Sequence, residues 1–379
     1  MPRTVRCVVL AALGLLLGCG APATPAAQPP RAPSAPTAAA PAAQSAALAA
    51  AQPAAQPPGP LTPVSVGQVA AVLYPFYIGI DRGYFTEQGI EVQYDTFRSG
   101  AEMVPLIAQG QLDVSQQAVV PATFNAVLRG VSMKAILDAS RGSPGQHSHA
   151  TLVRKELWDS GAVRTLSDLV GRKVASSSLP GGLGIDVDRG LKREGHRLDE
   201  LDQVQLPFPD MPAALANGSI DAAIAVEPSI STALNQDSAV VLRWLADDYP
   251  DHEIAVQVIG PSLIDRPELT RRLAVAYVRA ARDWNAAAVQ GVGVDDLARL
   301  LTPYNHLDAA LNADLLRKRG LTSIDPDGRI NKDALAYDMA WYLEGGHLER
   351  PIDLDAFVDS QYADYAVAQL GPAPAPRQQ

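Results

Sequence analysis

Several things are scarce in this chain of 379 residues, and each scarcity excludes something. There are two cysteines, Cys7 and Cys19, both within the first twenty residues. The remainder can form neither a disulfide framework nor a Cys-based zinc site. Basic residues do not dominate: 31 Lys and Arg stand against 41 Asp and Glu, a formal charge of −10. That balance argues against a nucleic-acid binder, which presents a basic face. No nucleophile elbow, phosphate loop or triad order is found, and Gly181-Gly182-Leu183-Gly184 is too short and poorly spaced for a nucleotide fingerprint. What is present is aliphatic: 47% of residues are hydrophobic, enough for a real core and too many for a wholly disordered chain. The length suggests two or three domain-sized units.

The first eighteen residues read as an address. Arg3 and Arg6 precede an apolar run from Cys7 to Gly18. Twelve residues cover about 18 Å as helix, short of the roughly 30 Å hydrocarbon core, so the run reads as the apolar region of a signal peptide rather than a span. It ends in Leu16-Leu17-Gly18-Cys19, which resembles the lipobox of bacterial lipoproteins. The resemblance implies cleavage before Cys19, acylation of its thiol and anchoring to a bilayer by two chains. Losing residues 1–18 removes Arg3 and Arg6 and takes the formal charge from −10 to −12. Residues 20–63 then hold 18 Ala and 12 Pro, with Arg31 the only charge. Pro denies regular hydrogen bonding and Ala supplies no core, so this stretch reads as an extended, disordered tether of roughly 100 Å.

From Val64 the pattern changes. Val64–Val69 alternates like a strand, Phe76–Arg82 reads as helical up to Gly83, and Ile90–Tyr94 alternates again. Ser99 is placed to cap a helix carrying Met103, Leu106 and Ile107, closed by Gly110. Leu112–Val114 and Met133–Leu137 read as strands around the helix Pro121–Arg129. A second unit repeats the grammar: strands at 151–153, 173–175, 203–206 and 222–226, with helices at 168–170, 184–194 and 211–216. Ile254–Ile259 returns to the first unit, and Pro267 starts a long helix with Leu269, Leu273, Tyr277 and Trp284 on one stripe. Strand–helix alternation with short connections predicts an α/β fold with mostly parallel sheets. The run Asp325-Pro326-Asp327-Gly328 reads as a turn. As a calcium loop it fails, because its Gly is fourth rather than sixth and no Glu stands twelfth.

Four strings carry a specific resemblance: Tyr77–Val92 with its Gly83-Tyr84-Phe85 and Gly89-Ile90-Glu91-Val92, Ser99-Gly100-Ala101, Gly110–Val114, and Asn217–Ala223 followed by Glu227-Pro228. In order and spacing they resemble the nitrate/sulfonate/taurine binding proteins of ABC transporters, a family that includes the NMT1/THI5-like thiamine-precursor binders. The match spans roughly residues 64–365. It implies a two-lobed, clamshell-type periplasmic binding fold, each lobe a mostly parallel sheet flanked by helices. The expected organisation is a signal peptide at 1–18, a lipidated tether at 19–63, lobe I at 64–152 plus 256–379, and lobe II at 153–255. Hinge crossings are expected near Leu152-Val153 and Ala255-Val256.

In open α/β sheets ligands sit beyond the carboxyl ends of strands. The loop from Ser176 to Gly182 joins a strand to a helix there, so Ser178, Gly181 and Gly182 can offer backbone N–H groups, with Pro180 beside them, or the stretch is an ordinary β–α loop. Ser99, Gln116 and Gln117 offer similar donors. Tyr74, Phe76 and Tyr77 follow the first strand and could stack on a planar ligand or seal the sheet–helix junction. Phe208 could be core or pocket. Arg98 and Arg141 could pair with a carboxylate or sulfonate, or be solvated. The resemblance places a pocket loop at Arg141-Gly142-Ser143. Glu227 could accept from an amine or ring N–H, or be a structural carboxylate beside the hinge. His147 and His149 share strand spacing, but no Cys or acidic cluster completes a metal site, and solvated loop histidines are the expectation.

Together these imply an extracytoplasmic substrate-binding lipoprotein of an ABC importer. It would be a monomer, needing no cofactor, that closes on a small organic or anionic solute and presents it to permease and ATPase subunits. The resemblance leaves nitrate, sulfonates, bicarbonate, pyrimidines and riboflavin open as ligands. The rivals are an enzyme of the thiamine-pyrimidine synthase type on the same fold, whose Cys-rich loop this chain lacks, and a solute sensor module.

Overall fold

The structure is a computed structural model that describes residues 59–69, 73–97, 99–177, 182–318 and 320–374. The expected leader and most of the expected tether, with Cys19, therefore lie outside the described residues.

Two five-stranded sheets organise the chain. The first holds β1 (Thr62–Val69), β2 (Ile90–Phe97), β3 (Val114–Ala118), β4 (Lys134–Arg141) and, from far along the chain, β10 (Glu253–Ile259), in the order β2-β1-β3-β10-β4. The second holds β5 (His149–Arg154), β6 (Lys173–Ser176), β7 (Asp202–Gln205), β8 (Ala222–Val226) and β9 (Ala239–Trp244), in the order β7-β6-β8-β5-β9. Pairing is parallel except where the chain changes sheet: β10 runs antiparallel to β3 and β4, and β5 antiparallel to β8 and β9. A strand entering from the other sheet arrives from the opposite end, which reverses its direction. The alternating grammar thus yields the expected α/β pair of lobes, each with one reversed strand.

Six helices position the cleft and its flanks: α1 (Tyr74–Asp81), α2 (Gly100–Ala108), α3 (Pro121–Leu128), α4 (Gly182–Arg193), α5 (Pro267–Ala288) and α6 (Lys332–Glu344). Helices on both faces bury the strands from both sides, which is why β4 and β8 are buried along nearly their whole length and β8 reads as a continuous apolar run. On one face of the first sheet Val64 and Val66 pack with Phe76, Ile78, Leu273, Tyr277 and Trp284. On the other, Val256 and Val258 pack with Met103, Ile107, Phe124, Leu335 and Tyr342. The second sheet has Met211, Leu215 and Ile230 on one side and Val174, Leu191 and Ile224 on the other.

The crossings between lobes differ from expectation. Chain leaves β4 at Arg141 and enters β5 at His149, and it returns through Tyr249–His252 into β10. Leu152-Val153 and Ala255-Val256 lie inside strands that are hydrogen-bonded on both sides. A doubly paired strand interior resists bending, so the crossings themselves lie at 142–148 and 249–252. The expected lobe boundaries shift accordingly, and the 64 boundary moves to Thr62, where β1 begins. The two crossings touch: Gly142 N–H donates to the His252 carbonyl at 2.9 Å. A Cβ on Gly142 would stand 3.4 Å from the Tyr249 carbonyl oxygen.

Buried charges flank this junction. His252 is 1% exposed and sits between Asp186 and Asp338, each 3.0 Å from one ring nitrogen. Burial alone would push its imidazole down, but the two carboxylates outweigh burial and raise it to about 10. Beside it, burial and the His252 charge push His149 down to about 4. At the first crossing the Arg141 guanidinium faces Asp138 and Glu253 at 3.3 Å and Asp325 at 3.2 Å. Burial raises Asp138 to about 6 against the pull of Arg141, and burial with Asp138 nearby raises Glu253 well above the usual carboxylate range. The turn at 325–328 closes the cluster: Asp325 N–H donates to Asp138 at 2.6 Å, and the Asp325 carboxylate accepts from the Asp327 and Arg329 amides. Gly328 is left-handed, φ +71°, and a Cβ there would lie 2.8 Å from Leu137.

Two of these groups give measurable expectations. Trp284 is fully buried, stacks on Tyr74 and donates to the Thr322 carbonyl; Trp284→Ala is expected to lower unfolding free energy by about 3–5 kcal/mol in urea titration. His252 has a folded-state value above its unfolded value of about 6.5. Its contribution is therefore complete below that unfolded value and is lost as pH rises through about 10. Urea titrations at neutral pH and above pH 10 should show stability falling more in the parent than in His252→Gln, whose side chain does not titrate.

Candidate functional site

The carboxyl ends of β1, β2 and β3 and those of β6, β7 and β8 present their loops toward one another. The two sides meet at Gly182, the first residue of α4, where a Cβ would lie 3.7 Å from the Val119 carbonyl oxygen of the first lobe. They meet again at Gly320, 3.4 Å by the same measure from the Glu227 side chain. Tyr342 of α6 donates to the Val119 carbonyl at 3.2 Å and closes one flank.

On the first lobe's rim the groups are amides and hydroxyls. Gln117 is 2% exposed; its amide donates to Ser115 Oγ at 2.5 Å and to the Gly100 carbonyl at 3.3 Å. Its Oε1 lies 2.6 Å from where a Cβ on Gly100 would be, so α2 starts with glycine to admit the amide. Ser99 occupies the cap position of α2 in extended conformation, but its hydroxyl makes no cap bond, contrary to expectation. Its side chain is partly exposed at the rim. Gln68, buried at the end of β1, donates to Thr96 Oγ1 at 3.0 Å and accepts from Tyr77. On the second lobe, half-buried Ser177 follows β6, and Gln205 donates to its carbonyl at 3.2 Å. The Glu227 carboxylate accepts from Ser231 N–H at 3.0 Å and Ser231 Oγ at 2.9 Å. Burial pushes its carboxyl up, only partly offset by those two bonds and by Lys318. The helix starts at Gly100 and Gly182 add oriented N–H groups, which favour an electron-rich partner.

Ser99 and Gln117 thus lie beside the start of α2, Gly182 meets the Val119 carbonyl, and Glu227 meets Gly320. Arg98, Ser178, Pro180 and Gly181 lie outside the described residues. Of the two roles open to the three aromatic residues, the structure gives them packing. Tyr74 stacks on Trp284 at 4.1 Å, Phe76 on Phe85 at 5.3 Å, and Tyr77 on Tyr304 at 4.5 Å, all at most 7% exposed. Burial in that layer raises Tyr74 to about 12. Phe208 is half-buried against the second lobe's core. Arg141 and Gly142 belong to the crossing rather than to an open pocket. The Arg141 guanidinium already meets three carboxylates and donates to the Arg329 carbonyl at 2.6 Å. His147 stacks on Trp244 at 4.4 Å, while His149 Nδ1 pairs with Ser148 Oγ at 2.7 Å, so the two rings serve separate contacts.

Sequence reasoning missed Gln68, Thr96 and the buried set Asp186, His252 and Asp338. A signal existed for the charged groups at the neighbouring crossing: Asp138 and Glu253 interrupt or abut apolar strand runs, where an acid is tolerated only with a partner. Two of the voids lie beside these groups. One of about 10 Å³ lies at the crossings among Gln146, His149, Asp186 and Leu245. The other, about 460 Å³, lies outside the cleft between α4 and α6, walled by Asp188, Arg197, Trp341, Glu344 and His347.

Comparison with known proteins agrees with this architecture. The fold is similar to the periplasmic aliphatic sulphonate binding protein SsuA of Escherichia coli, at 18% identity and TM-score 0.63, over 79% of this chain and 92% of that one. It is similar to the periplasmic nitrate-binding protein NrtA of Synechocystis PCC 6803, at 13% identity and TM-score 0.63, over 83% and 91%. A cysteine-to-serine mutant of the desulfurization enzyme DszB, in complex with biphenyl-2-sulfinic acid, shares the fold at 15% identity and TM-score 0.57, over 81% and 99%. No curated protein sequence matches. The family described as NMT1/THI5 like matches residues 71–284, more than half of the chain, and the chain belongs to that family.

Proposed function

We propose that this protein is the extracytoplasmic substrate-binding component of an ABC importer, held to the membrane through Cys19 and the Ala/Pro-rich tether. It captures a small solute between its lobes and delivers it to a permease. The observation that supports this reading is geometric: the loops after β3 and β6 meet at Val119 and Gly182, and the sheets are joined by two adjacent, touching crossings. Such a joint lets one lobe rotate against the other with little rearrangement inside either. The cleft groups found are hydrogen-bonding amides and hydroxyls with one carboxylate, a set suited to holding a solute.

The enzyme reading has a specific point in its favour, since DszB shares the fold. Against it, the sequence has no cysteine beyond Cys19 to act as a thiol nucleophile in the folded body. The Ser231 hydroxyl does donate to the Glu227 carboxylate at 2.9 Å, but this is a local contact four residues apart that the Ser231 N–H shares. Capture without chemistry is the simpler assignment.

Binding to the native state raises apparent stability by about 2.7 kcal/mol at a hundredfold excess over Kd. A thermal-shift screen with nitrate, bicarbonate, ethanesulfonate, taurine, pyrimidines and riboflavin is therefore expected to give a rising Tm with at least one class, with the solute recovered unchanged. Turnover of the solute by purified protein would reverse the assignment. For the anchor, Cys19→Ser is expected to move the protein from the detergent phase to the aqueous phase in Triton X-114 partition. Unchanged partition would remove the lipid.

A further inference from the structure

Helix α6 comes late in the chain, after β10 has returned to the first sheet, and its inner face packs in the first lobe. Leu335 and Tyr342 join the cluster of Met103, Ile107 and Phe124, and Tyr342 meets Phe124 edge-on at 6.3 Å. Its other side bonds to the second lobe. Asp338 reaches Asp186 of α4 through the His252 ring, Trp341 Nε1 donates to Asp188 of α4 at 2.7 Å, and Glu344 pairs with Arg197 at 3.1 Å. Tyr249, from the same crossing as His252, stacks on its ring at 4.4 Å and donates to Asp338 at 3.1 Å. Arg189 of α4 lies over the Tyr249 ring at 4.2 Å.

These contacts are not equal. The Glu344–Arg197 pair is half-exposed on both sides, where water and salt screen it to little net effect. The His252 contacts are almost wholly buried, with His252, Asp186 and Asp338 at most 4% exposed. Separating them leaves desolvated carboxylates without a cation, the expensive way to break an ion pair. They also stand where leverage is greatest. His252 is the last residue before β10, its carbonyl is the one that binds Gly142 of the other crossing, and its ring is gripped from both lobes at once.

We propose that His252 is a positioning residue for solute capture: its imidazolium ties α4 of the second lobe to α6 of the first, and α6 acts as a strap that sets the resting angle of the cleft near closure. The proposal rests on the solute-capture reading, but its test needs no solute. A strap on the flank biases the two-state equilibrium before ligand arrives, and so raises apparent affinity by enlarging the competent fraction. Trp341 is a secondary tie, half-buried at the outer edge.

The test is the distance between spin labels on Asp95 of edge strand β2 and Asp202 of edge strand β7. Both are exposed. Labels are attached through Asp95→Cys and Asp202→Cys in the full chain with Cys7 and Cys19 changed to Ser. Without solute, the parent is expected to give one narrow distance. His252→Gln should lengthen and broaden it by more than about 2 Å. Trp341→Phe, which removes the indole donor and keeps an aromatic ring against the apolar clusters it packs on, should shift it in the same direction by less. Lowered Tm with an unchanged distance in both variants would make the contacts merely structural and overturn the proposal. Whether the parent closes further on adding solute is a separate measurement, which bears on capture and not on the strap.

Discussion

Everything in this molecule is arranged around two short pieces of chain lying side by side. Among the described residues, 142–148 and 249–252 are where the backbone passes between the sheets, and the Gly142 N–H to His252 carbonyl bond holds them together. The consequences run outward. Because the chain enters each sheet from the other, β5 and β10 must lie antiparallel to their neighbours. Because β3 and β8 keep the parallel direction, their carboxyl ends, with the helix starts that come after them, all face the same gap.

A joint of two contiguous segments is weak by itself, and the surrounding charges explain how it is held. Removing an ion from water costs several kcal/mol even after relaxation, and that cost is recovered only with close, well-placed partners. Both ends of the joint meet the condition. Arg141 lies among Asp138, Glu253 and Asp325, and His252 between Asp186 and Asp338. The partners come from distant stretches: 138, 186, 253, 325 and 338. Each charge is stable only when all of those stretches are in place, so the clusters specify the assembly of the joint more than they add to its net stability.

This also marks the boundary of what could be read in advance. Strand and helix positions were legible because they depend on local periodicity, as at Val64–Val69, Ala222–Val226 and the helix from Pro267. The four glycine-containing strings were legible because positive-φ turns such as Gly83, Gly89 and Gly110 demand glycine at fixed offsets. The crossings were not, because Leu152-Val153 and Ala255-Val256 look the same whether a strand continues or a lobe ends. The roles of Arg141 and His252 were illegible for a different reason. An arginine or histidine declares its charge in the sequence, but whether that charge is engaged by protein or left for a ligand depends on residues from distant parts of the chain.

That last point reshapes the view of the ligand. Read alone, Arg141 suggests a fork for an oxyanion. In place, its guanidinium is shared among three carboxylates, with Asp138 and Glu253 fully buried against it. An incoming anion would compete with partners that are already desolvated. On the proposed capture reading, recognition would fall to the Ser99 hydroxyl, backbone N–H groups at the helix starts and the Glu227 carboxylate, since the Gln117 amide already donates to Ser115 and Gly100. Oriented N–H groups attract electron-rich atoms, and a carboxylate in the same cleft disfavours a second full negative charge. On that proposed reading, the two demands would be met together by a solute with polarised acceptors on one side and a hydrogen-bond donor on the other.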